Sequence, residues 1–250
     1  MNGFTHSLKW CVLALLVPSL CLAQADYARE KRWADEIVPA IVVGEPLQLE
    51  LKSGRKFLAI WAPTPKATAG VIMVHGRGVH PDAGLINPLR SQLSEQGYAT
   101  LSVQMPVLAA EAPGDLYPPL YPEAAERLKV AVAFLHGKGL KKVALVSFSL
   151  GSHMANYFLN HAGEVRVDAW VTIGILGEYS GPDTFKAPVL DLYGERDFPV
   201  VLENAARRAA VLRRLRGSGQ VQIAGADHFH TGMENELTRQ VKLFLDNRLK

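Results

Sequence analysis

The feature that most constrains this chain is a short run of residues, 141–155, with the sequence KKVALVSFSLGSHMA. An apolar run rich in β-branched residues, Val143 to Phe148, stops at Ser149, and a helical pattern through Leu150, Met154 and Tyr157 follows. The order is strand, sharp turn and helix, with a serine at the turn. It matches the motif G-x-S-x-G, in which a strained turn holds the serine hydroxyl out at the end of a sheet.

The first glycine of the motif is replaced here by Ser147. Strand and helix pass close together on both sides of the turn, so the residues two before and two after the central serine must be small, and Ser149 is predicted to hold a rare backbone conformation. Serine is small enough. The turn runs into a helix N-terminus, which leaves the N–H of Leu150 free to stabilise an oxyanion. The alternative is a buried Ser-Gly packing pair after a parallel strand.

The first 25 residues have the pattern of a secretory signal peptide. Met1 to Lys9 carries one positive charge and no acid, residues 10–22 are almost wholly apolar, and Ala23-Gln24-Ala25 has the small-x-small form of a cleavage site. The apolar run is too short for a comfortable membrane span, which needs about 20 residues. Cleavage after Ala25 would leave residues 26–250, and cleavage after Ala23 would leave residues 24–250, as a single domain in the periplasm or outside the cell.

Composition narrows the class of protein. With 250 residues, 48% hydrophobic and 20% charged, the chain suits one globular domain. Both cysteines, Cys11 and Cys21, lie in the predicted signal peptide, so the mature chain would have no disulfide and no thiolate metal site. Leu20 stands before Cys21 where a lipoprotein signal needs a small residue. Removing Lys9 lowers the net charge from +3 to +2, which gives no general attraction to nucleic acid.

The order of predicted elements indicates an α/β fold. Residues 26–41 form a predicted charged helix, and residues 47–51 and 57–61 a predicted antiparallel hairpin. After Ala69, buried strands alternate with amphipathic helices, which is typical of a mostly parallel sheet with helices on both faces. The predicted strands are 70–75, 99–104, 143–148, 169–175, 189–193 and 221–224, and the predicted helices are 85–96, 122–137, 150–161, 200–215 and 233–249.

Polar segments follow the ends of these strands, where ligands bind in an open α/β sheet. His75-Gly76-Arg77-Gly78 follows the first parallel strand, and its flexible backbone can present N–H groups to an anion. Residues 194–197, GERD, follow a later strand, and residues 225–230, GADHFH, follow the last one. A serine, an acid and a histidine therefore occur at strand ends in that chain order.

Taken together, the turn at Ser149, the HGRG turn, the GERD segment and the GADH segment resemble an α/β-hydrolase over nearly the whole mature chain. The strings HGRGVHPD, INPLR and QMPVL are similar to a little-characterised group of exported bacterial α/β-hydrolase-like proteins. The resemblance implies that Ser149 is the nucleophile, His228 the general base and then acid, and Asp197 the partner that orients the imidazole.

The same resemblance implies an oxyanion hole and a reaction class. The hole would use the N–H of Leu150 and one from the HGRG turn, that of Arg77 or of Gly78. The expected activity is cleavage of an ester or related acyl bond through an acyl-enzyme, without cofactor. Two alternatives remain: a non-catalytic protein of this fold that binds a ligand or partner, and a hydrolase of peptide, thioester or lipid substrates.

The assigned base and the assigned acid each have rivals. His230 can face the same way as His228 if that segment is extended, although His228 follows the strand more closely. Asp183 lies in the loop after the preceding strand, where some members of the fold place their acid. Asp191 lies within a predicted strand, and Asp227 can simply end one.

Several residues are candidates to surround the substrate. Gly76 and Gly78 form the glycine turn, and the side chain of Arg77 either faces an anionic substrate or forms a surface salt bridge. The proline-rich loop 107–123 is predicted to overhang the pocket with Tyr117 and Tyr121, or to be a plain connector. Only residues 176–186 separate the next two strands, so no cap domain is predicted and the site should be open.

The remaining expectations concern metals and partners. His75, His80 and His153 do not pair with carboxylates at metal-ligand spacing, so no metal is predicted. The predicted helix 200–215 should direct its apolar side to the sheet (Leu202, Ala206, Ala209, Leu212) and its arginines to solvent or to anionic lipid (Arg207, Arg208, Arg213, Arg214, Arg216). The expected partner is a small acyl substrate, and the sequence does not define the oligomeric state.

Overall fold

A computed structural model describes residues 24–67 and 69–249. The predicted signal peptide therefore lies outside the described residues, apart from Gln24 and Ala25. The strands are β1 (Glu45–Glu50), β2 (Lys56–Ala62), β3 (Ala69–Val74), β4 (Ala99–Val103), β5 (Lys142–Phe148), β6 (Ala169–Ile173), β7 (Val189–Arg196) and β8 (Gly219–Asp227). The helices are α1 (Tyr27–Ile37), α2 (Ile86–Glu95), α3 (Tyr121–Gly137), α4 (Leu150–His161), α5 (Pro199–Leu212) and α6 (Glu234–Leu249).

All of these strands belong to one sheet, in the order β1-β2-β4-β3-β5-β6-β7-β8. The first two form the predicted antiparallel hairpin, and β2 also pairs with β4 antiparallel. From β4 to β8 every pairing is parallel, with β3 and β5 at the centre. The prediction of a mostly parallel sheet is therefore confirmed, and the carboxyl ends of β3, β5, β6, β7 and β8 share one edge.

Apolar residues cover both faces of this sheet. In β5, Val143 and Leu145 pack into one buried cluster with α3 and α4, whereas Ala144 and Val146 pack into a second cluster with α2 and α6. The alternation follows from the period of two along a strand. Helices cover both faces of the sheet, as predicted. The ends of the parallel strands are therefore the accessible part of the sheet.

The chain from β6 to β7 contains only a short 3-10 turn, Pro182–Thr184, so there is no cap domain, as predicted. No helix in the described part of the chain is long and apolar enough to cross a membrane.

The orientation of α5 differs from the sequence prediction. Its buried residues are Val201, Ala205, Arg208 and Leu212, and Ala206 is exposed. The predicted apolar side is correct for Leu212 and wrong for Ala206, and Arg208, counted among the surface arginines, is fully buried against Asp191 of β7.

Candidate active site

The turn after β5 has the strained geometry that the sequence predicts. Ser149 has φ 50° and ψ −124°, a backbone conformation that residues other than glycine rarely adopt. It directly precedes the first residue of α4. Its N–H donates to the carbonyl of Ile173 in the neighbouring strand at 2.8 Å. The strand and the helix together fix the serine at the carboxyl edge of the sheet.

A close backbone approach requires the glycine two residues after this serine. A Cβ placed on Gly151 would lie 2.2 Å from the carbonyl oxygen of His75, a distance that real side chains do not reach. The segment after β3 is thereby packed directly against the start of α4. A Cβ on Gly76 would lie 3.0 Å from the ring of Phe148 and 3.5 Å from Cβ of Ser149.

The serine that replaces the first motif glycine is accommodated by hydrogen bonds. The Oγ of Ser147 is buried, accepts a hydrogen bond from the indole N–H of Trp170 at 2.9 Å, and lies 3.0 Å from Oγ of Ser152. It also donates to the carbonyl of Val171 at 3.1 Å. Ser147 thus meets the hydrogen-bonding need of a buried tryptophan, and the strained turn forms without the glycine.

Ser149, His228 and Asp197 form a continuous hydrogen-bonded chain. The Nε2 of His228 lies 3.1 Å from Oγ of Ser149, and its Nδ1 lies 2.6 Å from Oδ1 of Asp197. A carboxylate only accepts, so Nδ1 carries the proton and the lone pair of Nε2 is free to accept from the serine hydroxyl. All three residues are buried, with at most 8% of their surface exposed.

Backbone donors hold Asp197 in place. Its carboxylate accepts from the N–H of Phe198 at 2.8 Å and from that of Gly194 at 3.2 Å. Gly194 also allows β7 to approach β8, because a Cβ there would lie 2.4 Å from the carbonyl oxygen of Ala226. The carboxylate is therefore aimed at the histidine by the backbone of its own turn.

A further glycine makes room for the imidazole. Gly174, directly after β6, has φ 58°, and a Cβ on it would lie 2.9 Å from Cε1 and Nδ1 of His228 and 3.3 Å from Oδ2 of Asp197. Sequence reasoning missed this residue. The available signal was a glycine immediately after a buried strand, at the edge where the other polar segments were sought.

The N–H groups expected to form an oxyanion hole are free. Among the described residues, none accepts a hydrogen bond from the backbone N–H of Leu150 or of Arg77. The first lies at the N-terminus of α4, where the helix dipole is positive. The second belongs to the turn that packs against Ser149 through Gly76.

The side chain of Arg77 is exposed, and within residues 24–67 and 69–249 it forms no ion pair. The surface salt bridge was a wrong expectation. Its Cδ lies against Gly114 of the 107–123 loop, 3.8 Å from where a Cβ on that glycine would be. The guanidinium of Arg77 therefore lies at the HGRG turn without an ionic partner among the described residues.

The two tyrosines of residues 107–123, Tyr117 and Tyr121, lie apart from each other. Tyr117 is buried in the larger core cluster, and its hydroxyl accepts from the N–H of Leu108 at 3.3 Å and lies beneath Gly78. Tyr121 begins α3 and packs against Tyr157 of α4, with ring centroids 6.0 Å apart; burial raises its pKa to about 12. Tyr157 is two helical turns beyond Ser149.

The rival residues have other surroundings. His230 has φ 54°, is fully buried, and neither ring nitrogen has a hydrogen-bond partner in the described region. Burial lowers its pKa. Asp183 is exposed, Asp191 is bound by Arg208, and Asp227 accepts from the N–H of Thr231 at 3.0 Å. None of these residues occupies the hydrogen-bonded chain to Ser149.

His75 has a structural position. It is 1% exposed, its Nδ1 lies 2.8 Å from the carbonyl oxygen of Gly76, and its Nε2 accepts from the N–H of Met105 at 2.9 Å. Burial lowers the pKa of His75 to about 3, so the ring is neutral. This neutral ring ties the segment after β3 to the segment after β4.

The first helix also contacts the glycine turn. Nη2 of Arg29 in α1 donates to the carbonyl of Gly78 at 3.0 Å, and Nη1 donates to that of Leu108 at 2.7 Å. The helix is anchored by Glu30, which is bound by the fully buried Arg127 of α3 at 2.9 Å. Sequence reasoning missed Arg29, because nothing in the pattern of α1 distinguishes it from a solvated arginine.

No group of three or more His, Cys, Asp or Glu side chains in residues 24–67 and 69–249 is arranged to hold a metal ion. The chemistry that the geometry offers is proton transfer at a serine hydroxyl beside free N–H donors.

Comparisons with solved structures identify the class of fold. A dienelactone hydrolase from Anabaena variabilis aligns with 82% of this chain and 97% of its own, at 20% identity and a TM-score of 0.68. The esterase Pf2001 from Pyrococcus furiosus aligns with 84% of this chain and 96% of its own, at 17% identity and a TM-score of 0.65. The sheet and its connections are those of the α/β-hydrolase fold.

Further comparisons add detail. The protein XC6422 from Xanthomonas campestris, described as an α/β serine hydrolase without lid, aligns with 83% of this chain and 95% of its own, at 14% identity and a TM-score of 0.60. The sequence model of a family described as protein of unknown function, DUF3530, matches residues 44–119. No curated protein matches the sequence.

Proposed function

We propose that this protein is a serine hydrolase that cleaves an ester or related acyl bond through an acyl-enzyme. The observation that carries the proposal is the hydrogen-bonded chain from Asp197 through His228 to Ser149, with the serine held at φ 50°. A strained serine beside an oriented imidazole is the arrangement of an activated nucleophile.

Acylation follows from the positions of these atoms. Nε2 of His228 accepts the proton of Ser149 as Oγ attacks the acyl carbon, and the carbonyl oxygen becomes an oxyanion near the N–H groups of Leu150 and Arg77. The bond from the acyl carbon to the leaving oxygen then breaks, and Nε2–H gives its proton to that oxygen. Asp197 stabilises the imidazolium throughout and is not itself protonated.

Deacylation repeats the steps with water. Nε2 of His228 accepts a proton from the water as it attacks the acyl carbon, the oxyanion forms again, and the proton passes to Oγ of Ser149 as the ester bond to the enzyme breaks. The enzyme regains its starting state, and each turnover consumes one ester and one water.

A non-catalytic binding protein of this fold would be favoured if the replacement of the first motif glycine by Ser147 disrupted the turn. Ser147 is buried with its hydroxyl fully used, and the strained turn is present, so this substitution no longer favours binding over catalysis. Peptide, thioester and lipid substrates remain alternatives to simple esters.

The test is intact mass after treatment with a fluorophosphonate, combined with turnover of an aryl ester. The wild type should gain one adduct and turn over the ester, and Ser149→Ala should do neither while keeping its thermal unfolding temperature. Ser53→Ala, in the exposed turn between β1 and β2, is the matched control and should behave as wild type. A folded wild-type protein that is neither labelled nor active would refute the proposal.

We also propose export, with cleavage after Ala23 in preference to Ala25. Ala25 is only 5% exposed and packs in the larger core cluster, and the N–H of Asp26 donates to the carbonyl of Val107 at 2.7 Å. Cleavage after Ala25 would remove a buried residue. Protein recovered from the native host should begin at Gln24 by intact mass, and a chain that retains Met1 would contradict export.

A further inference from the structure

Each residue of the proposed triad has a phenylalanine beside it in the sequence, and the three rings gather around the imidazole. Phe198 stacks on His228 with ring centroids 4.1 Å apart and an interplanar angle of 23°. Phe229 meets the same imidazole edge-on at 5.2 Å, and Phe148 lies at 5.0 Å. The general base is thus surrounded by aromatic surface.

Two of these rings face solvent. Phe198 is 44% exposed and Phe229 is 56% exposed, whereas Phe148 is 9% exposed. The rings of Phe198 and Phe229 are 6.1 Å apart at an angle of 86°, so they form the two walls of a corner, which we call the aromatic corner. Val200, 42% exposed, follows Phe198 closely in the chain. Contiguous exposed apolar surface of this kind marks a binding site more often than an isolated exposed residue does.

The proposed mechanism places the alcohol portion of the substrate at this corner. Nε2 of His228 must come within about 2.6–3.2 Å of the leaving oxygen to protonate it. The alcohol portion of the ester therefore lies over the histidine, and the acyl portion lies elsewhere. The exposed rings of Phe198 and Phe229, which both contact His228, offer apolar surface to a group attached to the leaving oxygen.

We propose that the aromatic corner binds the alcohol portion of the substrate, and that the preferred substrates are esters of aromatic alcohols. An aromatic ring can stack on one wall and meet the other edge-on, the two arrangements that ring quadrupoles favour. This inference rests on the proposed function. It concerns the leaving group alone, and the acyl group is not specified.

The test compares benzyl acetate, cyclohexylmethyl acetate and ethyl acetate. Their acyl group is the same and their alcohols are all unactivated primary alcohols, so differences in kcat/KM report binding of the alcohol portion in the transition state. Wild type should prefer the benzyl ester to both others. In Phe198→Leu and Phe229→Leu, which keep apolar volume but remove a ring, the ratio of benzyl to cyclohexylmethyl should fall by about 2- to 10-fold, the range of one aromatic pair.

Leu243→Ala is the matched control, because Leu243 is an exposed apolar side chain of α6, 53% exposed, outside the proposed site. Its ratio should equal that of wild type. Using a ratio within each protein removes any general effect of the substitutions on His228.

Labelling of Ser149 by a fluorophosphonate separates the two proposals, because its leaving group is fluoride and does not use the aromatic corner. An unchanged ratio in both phenylalanine variants, with labelling intact, would overturn the aromatic corner and leave the hydrolase proposal standing. If those variants also lost binding to phosphatidylcholine vesicles, the rings would belong to a lipid-contacting surface instead. A wild type that is not labelled would refute both proposals.

Discussion

Strand β7 and the residue that follows it supply two buried aspartates with very different partners. Asp191 has no exposed surface and is bound by Arg208 at 2.8 Å, by Gln220 at 2.7 Å and by Thr172 at 3.2 Å. Asp197 directly follows the last residue of β7 and is bound by two backbone N–H groups and His228. Both carboxylates are satisfied by hydrogen bonds, and only the second is joined through an imidazole to the hydroxyl of Ser149.

The difference lies in what the partner can do with its proton. A guanidinium keeps its proton at any pH that a protein experiences, so Asp191 and Arg208 form a fixed ion pair. An imidazole can both accept and release a proton, and Nε2 of His228 faces Ser149. In the proposed mechanism, the same strand therefore contributes to a structural charge pair in its interior and to a proton-transfer pair at its end.

The largest effect is expected from Asp197→Asn. An asparagine amide favours the wrong tautomer of His228, so kcat for an aryl ester should fall by roughly 10⁴-fold while thermal unfolding changes little. Asp183→Asn, at the exposed rival position, is the control and should keep wild-type kcat. A decrease of less than tenfold in Asp197→Asn would mean that another group orients the histidine.

The structural pair should show the opposite behaviour. Arg208→Met leaves the carboxylate of Asp191 buried without its cation, so the free energy of unfolding in urea should fall by roughly 3–5 kcal/mol. The folded fraction should keep its kcat. Adding Asp191→Leu to Arg208→Met should recover most of the lost stability, because no charge then remains buried. A loss of kcat beyond the loss of folded protein would join the two sites that the comparison separates.

The protonation of the buried His75 should affect the free energy of unfolding alone. The pKa of His75 is lowered by burial to about 3, so between pH 6.5 and 3 the unfolded state binds a proton that the native state does not. This contribution to stability is complete above pH 6.5 and is lost as the pH falls toward 3, at up to about 1.4 kcal/mol per pH unit.

The measurement is the free energy of unfolding of wild type and His75→Gln across this pH range. Burial also lowers the pKa values of His153 and His230, so both proteins should lose stability in acid. The variant should lose it less steeply. Equal slopes would show that His75 is protonated in the folded protein.

The smallest effect is expected at the replaced motif position. Ser147→Gly restores the motif but leaves the buried N–H of Trp170 without its acceptor, so the protein should be destabilised by roughly 1–3 kcal/mol with kcat nearly unchanged. Ser147→Ala is the control for backbone freedom and should be the more stable of the two variants by about 0.5–1 kcal/mol. A large gain in kcat with glycine would show that the serine impairs the site.

The sequence was sufficient for the strands and for the residues that meet at the sheet edge. Parallel strands in one sheet bring their carboxyl ends together, so Ser149, Asp197 and His228 can be predicted to lie close without knowing the loops. The choice between His228 and His230 depends on a positive φ at His230, which no residue type announces in advance.

The sequence was insufficient where a polar side chain is buried by a partner on another element. Arg208 follows Asp191 by 17 residues, and only the packing of α5 on β7 shows that they meet. Arg29 likewise donates to the carbonyls of Gly78 and Leu108, which lie 49 and 79 positions further along the chain. A polar group in a helix appears solvated until its distant acceptor is known.

Arg29 also connects α1 to the segments that surround the candidate active site. One guanidinium bridges the turn after β3 and the loop after β4, so these two segments cannot shift independently while the helix is docked. For an engineer who wished to trim or graft this domain, the helix and the sheet form a single module. A minimal version of the fold that begins at the first strand would keep Ser149, Asp197 and His228 and lose the hydrogen bonds of Arg29 to the HGRG turn and to Leu108.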